Sequence, residues 1–385
     1  MDCHTANSIS THPVHLHLIC AVLFALAGAC GGDDSRGAGS SAAETTKAAS
    51  APPTSNDQMP VPASTTAAVP TTAPGDDATA TSTTMLSSEQ GAPDPAGRIA
   101  FGSIMPGHER SDQLMALFAV DPDGSDLIQL TDGNSAFPAW SPDGSRLAFT
   151  TIADDSTWQI ATITADGSDV RVLTAGPGIH EAPSWSPDGE WIAYDYSPTF
   201  PGESGFRTVL YRMNADGSDQ QLLGDPDGND VEPKISPDGG KVLFQRYDGA
   251  NAPIIVRDLT TGAETVVLAA GGQNPSWSPD GASIVVQTDP PPTGGAIWGP
   301  IMRISLTDNT SRTELYPGGA ASGGFKPVYS PDGTRIAFGC GRDARTPDYD
   351  EAICAMNADG SDVQVLVDNP GRWDNEVSWG AARSG

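Results

Sequence analysis

From Arg98 onward, short apolar runs alternate with polar turns rich in glycine and proline. The runs RLAFT, WIAYD, KVLFQ, SIVVQ and RIAFG are too short for helices and rich in aromatic and β-branched residues, so they predict strands. Each follows the same four-residue word. Ser141-Pro142-Asp143-Gly144 recurs at 186–189, 236–239, 278–281 and 330–333, in steps of 45, 50, 42 and 52 residues. Ahead of each word stands Trp140, Trp185, Ile235, Trp277 or Tyr329, and two residues earlier a proline. The word is a turn: proline presets φ near −65°, aspartate tolerates the next position, and glycine supplies positive φ. Flanked by strands, it makes a tight hairpin.

A second hairpin lies farther along each unit, with Asp-Gly at its tip at 123–124, 166–167, 216–217 and 359–360; Thr261-Gly262 and Asp308-Asn309 replace it in two units. A unit therefore holds four strands, here A to D. A ends at the large apolar residue, B is the IAF-like run, C resembles TVLYRMN, and D resembles VRVLT. Four-stranded units repeating at this period predict an all-β fold, a six-bladed β-propeller of four-stranded antiparallel blades over residues 98–385. The first unit starts with a B strand at Arg98–Phe101, and residues 375–380 form an A strand with no B strand after it. Pairing the two completes one blade from both ends of the repeat region and removes open sheet edges.

The proline–x–Trp–Ser-Pro-Asp-Gly words followed by an IAF strand resemble the TolB-type propeller repeat, over about residues 98–380. TolB itself places an α/β domain before its propeller, where this chain has a low-complexity stretch. The resemblance implies docking to partner lipoproteins. The same repeat occurs in propellers of prolyl-oligopeptidase-like peptidases, whose hydrolase domain carries a G-x-S-x-G elbow; this sequence contains no such motif.

Composition sharpens the picture. The chain has 385 residues, with 20 Lys+Arg against 49 Asp+Glu and a formal net charge of −29. That balance argues against nucleic acid or anionic lipid head groups as partners. Forty-three glycines and 33 prolines argue against long helices. Residues 18–29 (LICAVLFALAGA) form an apolar run too short to span a bilayer and read as a secretory signal over 1–29. Ala27-Gly28-Ala29-Cys30 resembles a bacterial lipobox, which implies lipid attachment at Cys30 and an anchor on the outer side of the cell membrane, or secretion if the lipobox is unused. Residues 31–97 contain 14 Ala, 11 Thr, 9 Ser and 8 Pro and no aromatic residue, so the region from 30 to 97 is expected to be a disordered tether.

Strand polarity places candidate binding residues. The A–B and C–D turns share one face and are stereotyped, whereas the B–C and D–A loops on the other face vary, as recognition loops do. Residues just before the Trp position should ring the channel mouth: Phe137, His180 with Glu181, Asp230 with Glu232, Asn274, Lys326, and Asp374 with Asn375 and Glu376. Trp298, Arg342, Arg372 and Trp373 supply aromatic and guanidinium groups on the same loop face, types that dominate interface energies. Asp225–Asp230 and Asp121–Asp126 superficially resemble calcium loops, but glycine falls at the fourth position rather than the sixth, and turn geometry accounts for both. No cofactor is expected, with a divalent cation such as calcium in the acidic channel as the weaker alternative. Cys340 closes a B strand and Cys354 lies in the adjoining C strand, an expected disulfide in an exported protein.

Catalytic groups are scarce: His108 and His180 are the only histidines beyond the signal and tether. The expected function is an envelope-anchored binding or scaffold module, monomeric, recognising a protein, peptide or envelope polymer through the B–C/D–A loop face. Two rivals stand beside it. One is an extracellular lyase or hydrolase using a carboxylate pair such as Glu181 and Glu232. The other is an accessory subunit of an envelope complex.

Overall fold

The computed structural model describes residues 97–104, 115–153, 157–201, 203–247, 252–289, 299–308, 310–318, 322–342, 350–368 and 374–382. Among them every regular element is a strand. The strands are β1 (Ile99–Ile104), β2 (Met115–Val120), β3 (Ile128–Gln129), β4 (Ser135–Trp140), β5 (Arg146–Ile152), β6 (Trp158–Thr164), β7 (Arg171–Val172) and β8 (Ile179–Trp185). There follow β9 (Trp191–Ser197), β10 (Val209–Asn214), β11 (Gln221–Leu222), β12 (Asp230–Ile235), β13 (Lys241–Arg246), β14 (Ile254–Asp258), β15 (Glu264–Leu268) and β16 (Gly272–Trp277). The last are β17 (Ser283–Thr288), β18 (Ile301–Ser305), β19 (Arg312–Tyr316), β20 (Ser322–Tyr329), β21 (Arg335–Arg342), β22 (Asp350–Asn357), β23 (Gln364–Val367) and β24 (Asp374–Trp379).

Four sheets are four-stranded, ordered β24-β1-β2-β3, β12-β13-β14-β15, β16-β17-β18-β19 and β20-β21-β22-β23. The remaining strands, β4 to β11, form one eight-stranded sheet rather than the two separate blades that the repeat count predicts. Within it, two antiparallel runs of four meet at a single parallel pair, Trp158 with Ile179, supported by the Trp158 N–H donating to Gly178 O at 3.2 Å. The B strands lie inside their sheets and are buried on both faces, as at Leu147, Ala148 and Phe149, which is why they read as unbroken apolar runs. The D strands form the outer edges. There β7 and β11 have two residues each, all exposed, and such short edges limit pairing with other chains.

The Ser-Pro-Asp-Gly word owes its repetition to a closed hydrogen-bond circuit. In its first copy the Ser141 hydroxyl donates to Asp143 Oδ1 (2.7 Å) and accepts the Arg146 N–H (3.0 Å) at the start of β5. Asp143 also accepts the Ser145 N–H (3.0 Å), and the Gly144 N–H closes the turn on Ser141 O (2.9 Å). Gly144 has φ +65°, and its counterparts Gly189, Gly239, Gly281 and Gly333 lie between +68° and +73°. The turns also touch one another. A Cβ on Gly239 would lie 3.4 Å from Pro187, and one on Gly333 3.6 Å from Pro279. Pro142, Pro187, Pro237 and Pro279 thus each abut the glycine of the next turn. At Gly144, where no such proline precedes, the backbone of Ala381 takes that place.

Neighbouring blades are joined by side chains of the innermost strands. Trp185 Nε1 donates to Ala139 O (3.0 Å), and Trp277 Nε1 to Lys234 O (2.9 Å). Strand β24 pairs antiparallel with β1, with Ile99 opposite Trp379 and Ala100 opposite Ser378, so strands from the two ends of the repeat region share one sheet. Phe101 and Trp379 lie in the same buried cluster. Cys340 and Cys354 form a disulfide across β21 and β22. A bridge closing a loop of this size stabilises by roughly 2–3 kcal/mol in the chain-entropy picture.

Candidate functional site: the channel

Each innermost strand carries one irregularity at the same place. Its register against the next strand slips between Ala136 and Ala139, Glu181 and Ser184, Val231 and Lys234, Gln273 and Ser276, and Phe325 and Val328; β1 slips likewise against β24. At each slip one non-glycine residue takes positive φ: Phe137 (51°), Ala182 (52°), Glu232 (54°), Asn274 (51°), Lys326 (49°) and Glu376 (62°). These are β-bulges, which free one N–H from the ladder and re-aim one side chain. Held left-handed backbone of this kind costs on the order of 1 kcal/mol per residue and persists where the surroundings enforce it.

The preceding blade does the enforcing. The Phe137 N–H donates to Glu376 Oε2 (2.5 Å), the Ala182 N–H to Thr150 Oγ1 (3.3 Å), and the Glu232 N–H to Asp195 Oδ2 (2.9 Å). Five of the bulge residues, all but Ala182, line a cavity of about 260 Å³ on the channel axis. The cavity also touches Trp140, Trp185 and the turn prolines Pro142, Pro187 and Pro237, so it extends toward the Ser-Pro-Asp-Gly turns. That is the face opposite the loops that the sequence marks for recognition.

The cavity wall is charged. Lys326 Nζ lies 3.3 Å from Glu376 Oε1 and 4.6 Å from the Phe137 ring centroid, an ion pair and a cation–π contact on one ammonium. Burial works against the charge on Lys326, but Glu376 and Glu232 outweigh it and hold its pKa above the ordinary lysine value. Lys234 has the opposite balance, and burial draws it down against the pull of Glu232. Behind the wall, fully buried Asp195 is raised to about 8 by burial and by the Glu232 charge, against the hydrogen bond from the Glu232 backbone. Buried Glu181 is pushed well above the carboxylate range by burial first, then by Asp195, Glu232 and Glu376.

The structure brings Glu232, Asn274, Lys326 and Glu376 together around one cavity and separates them from others in that set. His180 lies within β8 rather than on a loop, 5% exposed, its Nδ1 3.0 Å from Trp158 O and its ring 4.6 Å from that of Tyr196. Burial lowers its pKa to about 4, so it is neutral and structural. The residue at the ring position of that strand is Ala182. Asp230 opens β12 and is clamped by Arg246, Nε to Oδ1 at 2.6 Å and Nη2 to Oδ2 at 2.9 Å, away from the channel cavity. Asn274 Nδ2 donates to Gln287 Oε1 at 3.3 Å. Trp298, Arg372, Trp373 and Cys30 lie outside the described residues, and of Arg342 and Asp374 only the strand positions are described. Sequence reading missed Asp195 and Lys234. For Asp195 the signal is a polar residue inside an apolar strand: the last letters of RLAFT, WIAYD and SIVVQ supply Thr150, Asp195 and Gln287, which accept hydrogen bonds from Ala182, Glu232 and Asn274 at the bulges. Among the described residues, no group of three or more His, Cys, Asp or Glu is placed to hold a metal ion.

Four-stranded antiparallel blades around a lined channel define a β-propeller. Residues 105–291 match the family described as the TolB beta propeller domain. Over that stretch the chain is similar to TolB-type propellers. TolB from Acinetobacter baumannii is similar over 74% of this chain and 67% of its own, at 21% identity and a TM-score of 0.61. A TolB-like protein of Agrobacterium tumefaciens is similar over 74% and 98%, at 19% identity and 0.54. Hydrazine synthase of Kuenenia stuttgartiensis is similar over 76% and 47%, at 17% identity and 0.58. At these identities the likeness is one of fold. No curated protein sequence matches the chain.

Proposed function

We propose that this chain is an envelope-associated, extracytoplasmic binding module whose channel receives a segment of a partner protein. The observation that carries the reading is the axial cavity, which sets aromatic and proline side chains beside the charged groups of Glu232, Lys234, Lys326 and Glu376. Apolar walls with a few fixed polar groups are what a folded site offers an amphipathic ligand. The TolB-type propeller and the Cys340–Cys354 disulfide, a bond of oxidising compartments, support the location.

A photoreactive residue at Ser276, inside the channel, should yield an adduct with a partner protein in intact cells. Lys326→Glu should reduce that adduct roughly tenfold, since a reversed buried charge costs more than 1.4 kcal/mol. The same label at Val172, on an outer strand, should not give it. Equal adducts from both positions would contradict a channel site.

The tether reading of 31–97 and lipid attachment at Cys30 belong to the same proposal. Cells fed an alkyne fatty acid should label the wild-type protein, and Cys30→Ala should abolish the label and release protein to the soluble fraction. Labelling unchanged by that substitution would remove the anchor from the proposal.

A further inference from the structure

On the loop face, three segments from adjoining blades surround a cleft of about 450 Å³, within the range of about 300–1,000 Å³ of small-ligand sites. Phe206 and Arg207 come from the β9–β10 loop, Asp225 to Asn229 from the β11–β12 loop, and Arg246 and Tyr247 from the end of β13. We propose that this cleft binds a neutral saccharide.

The floor is built and rigid. Arg246 holds buried Asp230 through two bonds and also donates to Glu264 at 2.8 and 3.0 Å, so its guanidinium is committed to two carboxylates. Asn229 ties the three segments together. Its Oδ1 accepts the Thr208 N–H (3.1 Å), its Nδ2 donates to Tyr247 O (3.3 Å), and its carbonyl accepts the Tyr247 N–H (2.8 Å). Gly228 lets the loop pass close over the clamp, because a Cβ there would lie 2.8 Å from Asp230 Oδ2.

The rim is mixed. Arg207 Nη1 meets Asp227 Oδ1 at 3.1 Å, with side chains 49% and 91% exposed, a pair worth little and easily rearranged around a ligand. Asp225 spends Oδ1 on the Asp227 N–H (2.9 Å). The half-buried Phe206 and Tyr247 add apolar ring surface beside these groups.

That donor and acceptor mixture selects the ligand class. An anion would face Asp225 and Asp227 while the floor arginine is already neutralised. An ammonium or guanidinium group would compete with Arg207 for Asp227 and leave the Arg207 donors unmatched. A hydroxyl both donates and accepts, so vicinal hydroxyls can meet both kinds of group, and the apolar C–H face of a sugar ring can lie on an aromatic ring.

The test uses the whole chain with cellotriose, maltotriose, chitotriose and xylotriose, followed by saturation-transfer NMR and calorimetry, with trilysine and inorganic phosphate as the other probes. At least one trisaccharide should bind with a Kd of about 1 mM or tighter. Phe206→Ala should weaken it roughly tenfold and Asp227→Asn roughly fivefold, with thermal melts showing both variants folded. Trp185→Ala, in the channel, should leave it unchanged, which separates this cleft from the channel proposal. Absence of binding by all four trisaccharides, sugar binding that survives Phe206→Ala, or binding of trilysine or phosphate instead of sugar would each overturn the assignment.

Discussion

Replacing Trp379 by alanine should lower the stability of the propeller by about 3–5 kcal/mol, the usual range for emptying a buried tryptophan site. At roughly 2–4 °C per kcal/mol for a domain of this order of size, the melting temperature should fall by about 10 °C. Trp379 is 6% exposed, packs in one cluster with Ile99, Phe101 and Ile353, and lies under the Arg335 guanidinium at 5.8 Å. Its strand does more than fill space. It pairs with β1, its Ser378 hydroxyl accepts the Trp140 N–H at 3.2 Å, and its Glu376 accepts the Phe137 N–H on β4. The side chain thus sits where the two ends of the repeat region are held together. Val172→Ala, on an outer edge where the side chain is 57% exposed, serves as the reference and should change stability by less than about 0.5 kcal/mol. Equal melting temperatures for the two variants would show that the closing strand contributes nothing special.

Asp195→Asn should flatten the fall in stability between pH 5 and pH 8. The folded-state pKa of Asp195 is raised to about 8 from an ordinary value of 3.8. A carboxyl raised in this way favours the fold below about pH 4, and that contribution is lost as pH rises toward 8. The turn aspartates act in the opposite sense. Hydrogen bonds from Ser186, Ser236, Ser278 and Ser330 hold Asp188, Asp238, Asp280 and Asp332 below the ordinary value, so their contribution is present above about pH 4 and lost on further acidification. The wild type should therefore be most stable in mildly acidic solution. Asparagine keeps an acceptor for the Glu232 N–H and removes the buried charge, so the variant should gain on the order of 1–3 kcal/mol relative to wild type on going from pH 5 to pH 8. Glu181, raised by the same surroundings, retains part of the slope. Urea midpoints at the two pH values decide the matter, and parallel slopes for both proteins would mean that Asp195 titrates normally.

The local repeat was legible because its chemistry is local. Ser141, Asp143 and Gly144 complete their circuit within six residues, so the word carries its own structure wherever it occurs. The apolar B strands were legible because burial on both faces leaves no alternation to misread. The channel was only partly legible. A bulge between Glu181 and Ser184 shifts the side-chain phase of β8, so that Ala182 takes the ring position while His180 turns into the core. Nothing in the alternation of β8 marks that slip, because it is set by pairing with β9. The axial cavity likewise reaches the turn face, which uniform words had made look inert.

What the chain order alone dictated is the blade: turns, the order of its strands, the closing pair of strands and the cysteines that bridge one hairpin, all products of contacts between near neighbours or of one repeated pattern. Which side chains share the axis was decided by the closed ring. Phe137, Lys326 and Glu376 stand up to 239 positions apart and acquire their contacts and perturbed charges only when burial and the neighbouring blade bring them within a few ångströms of one another.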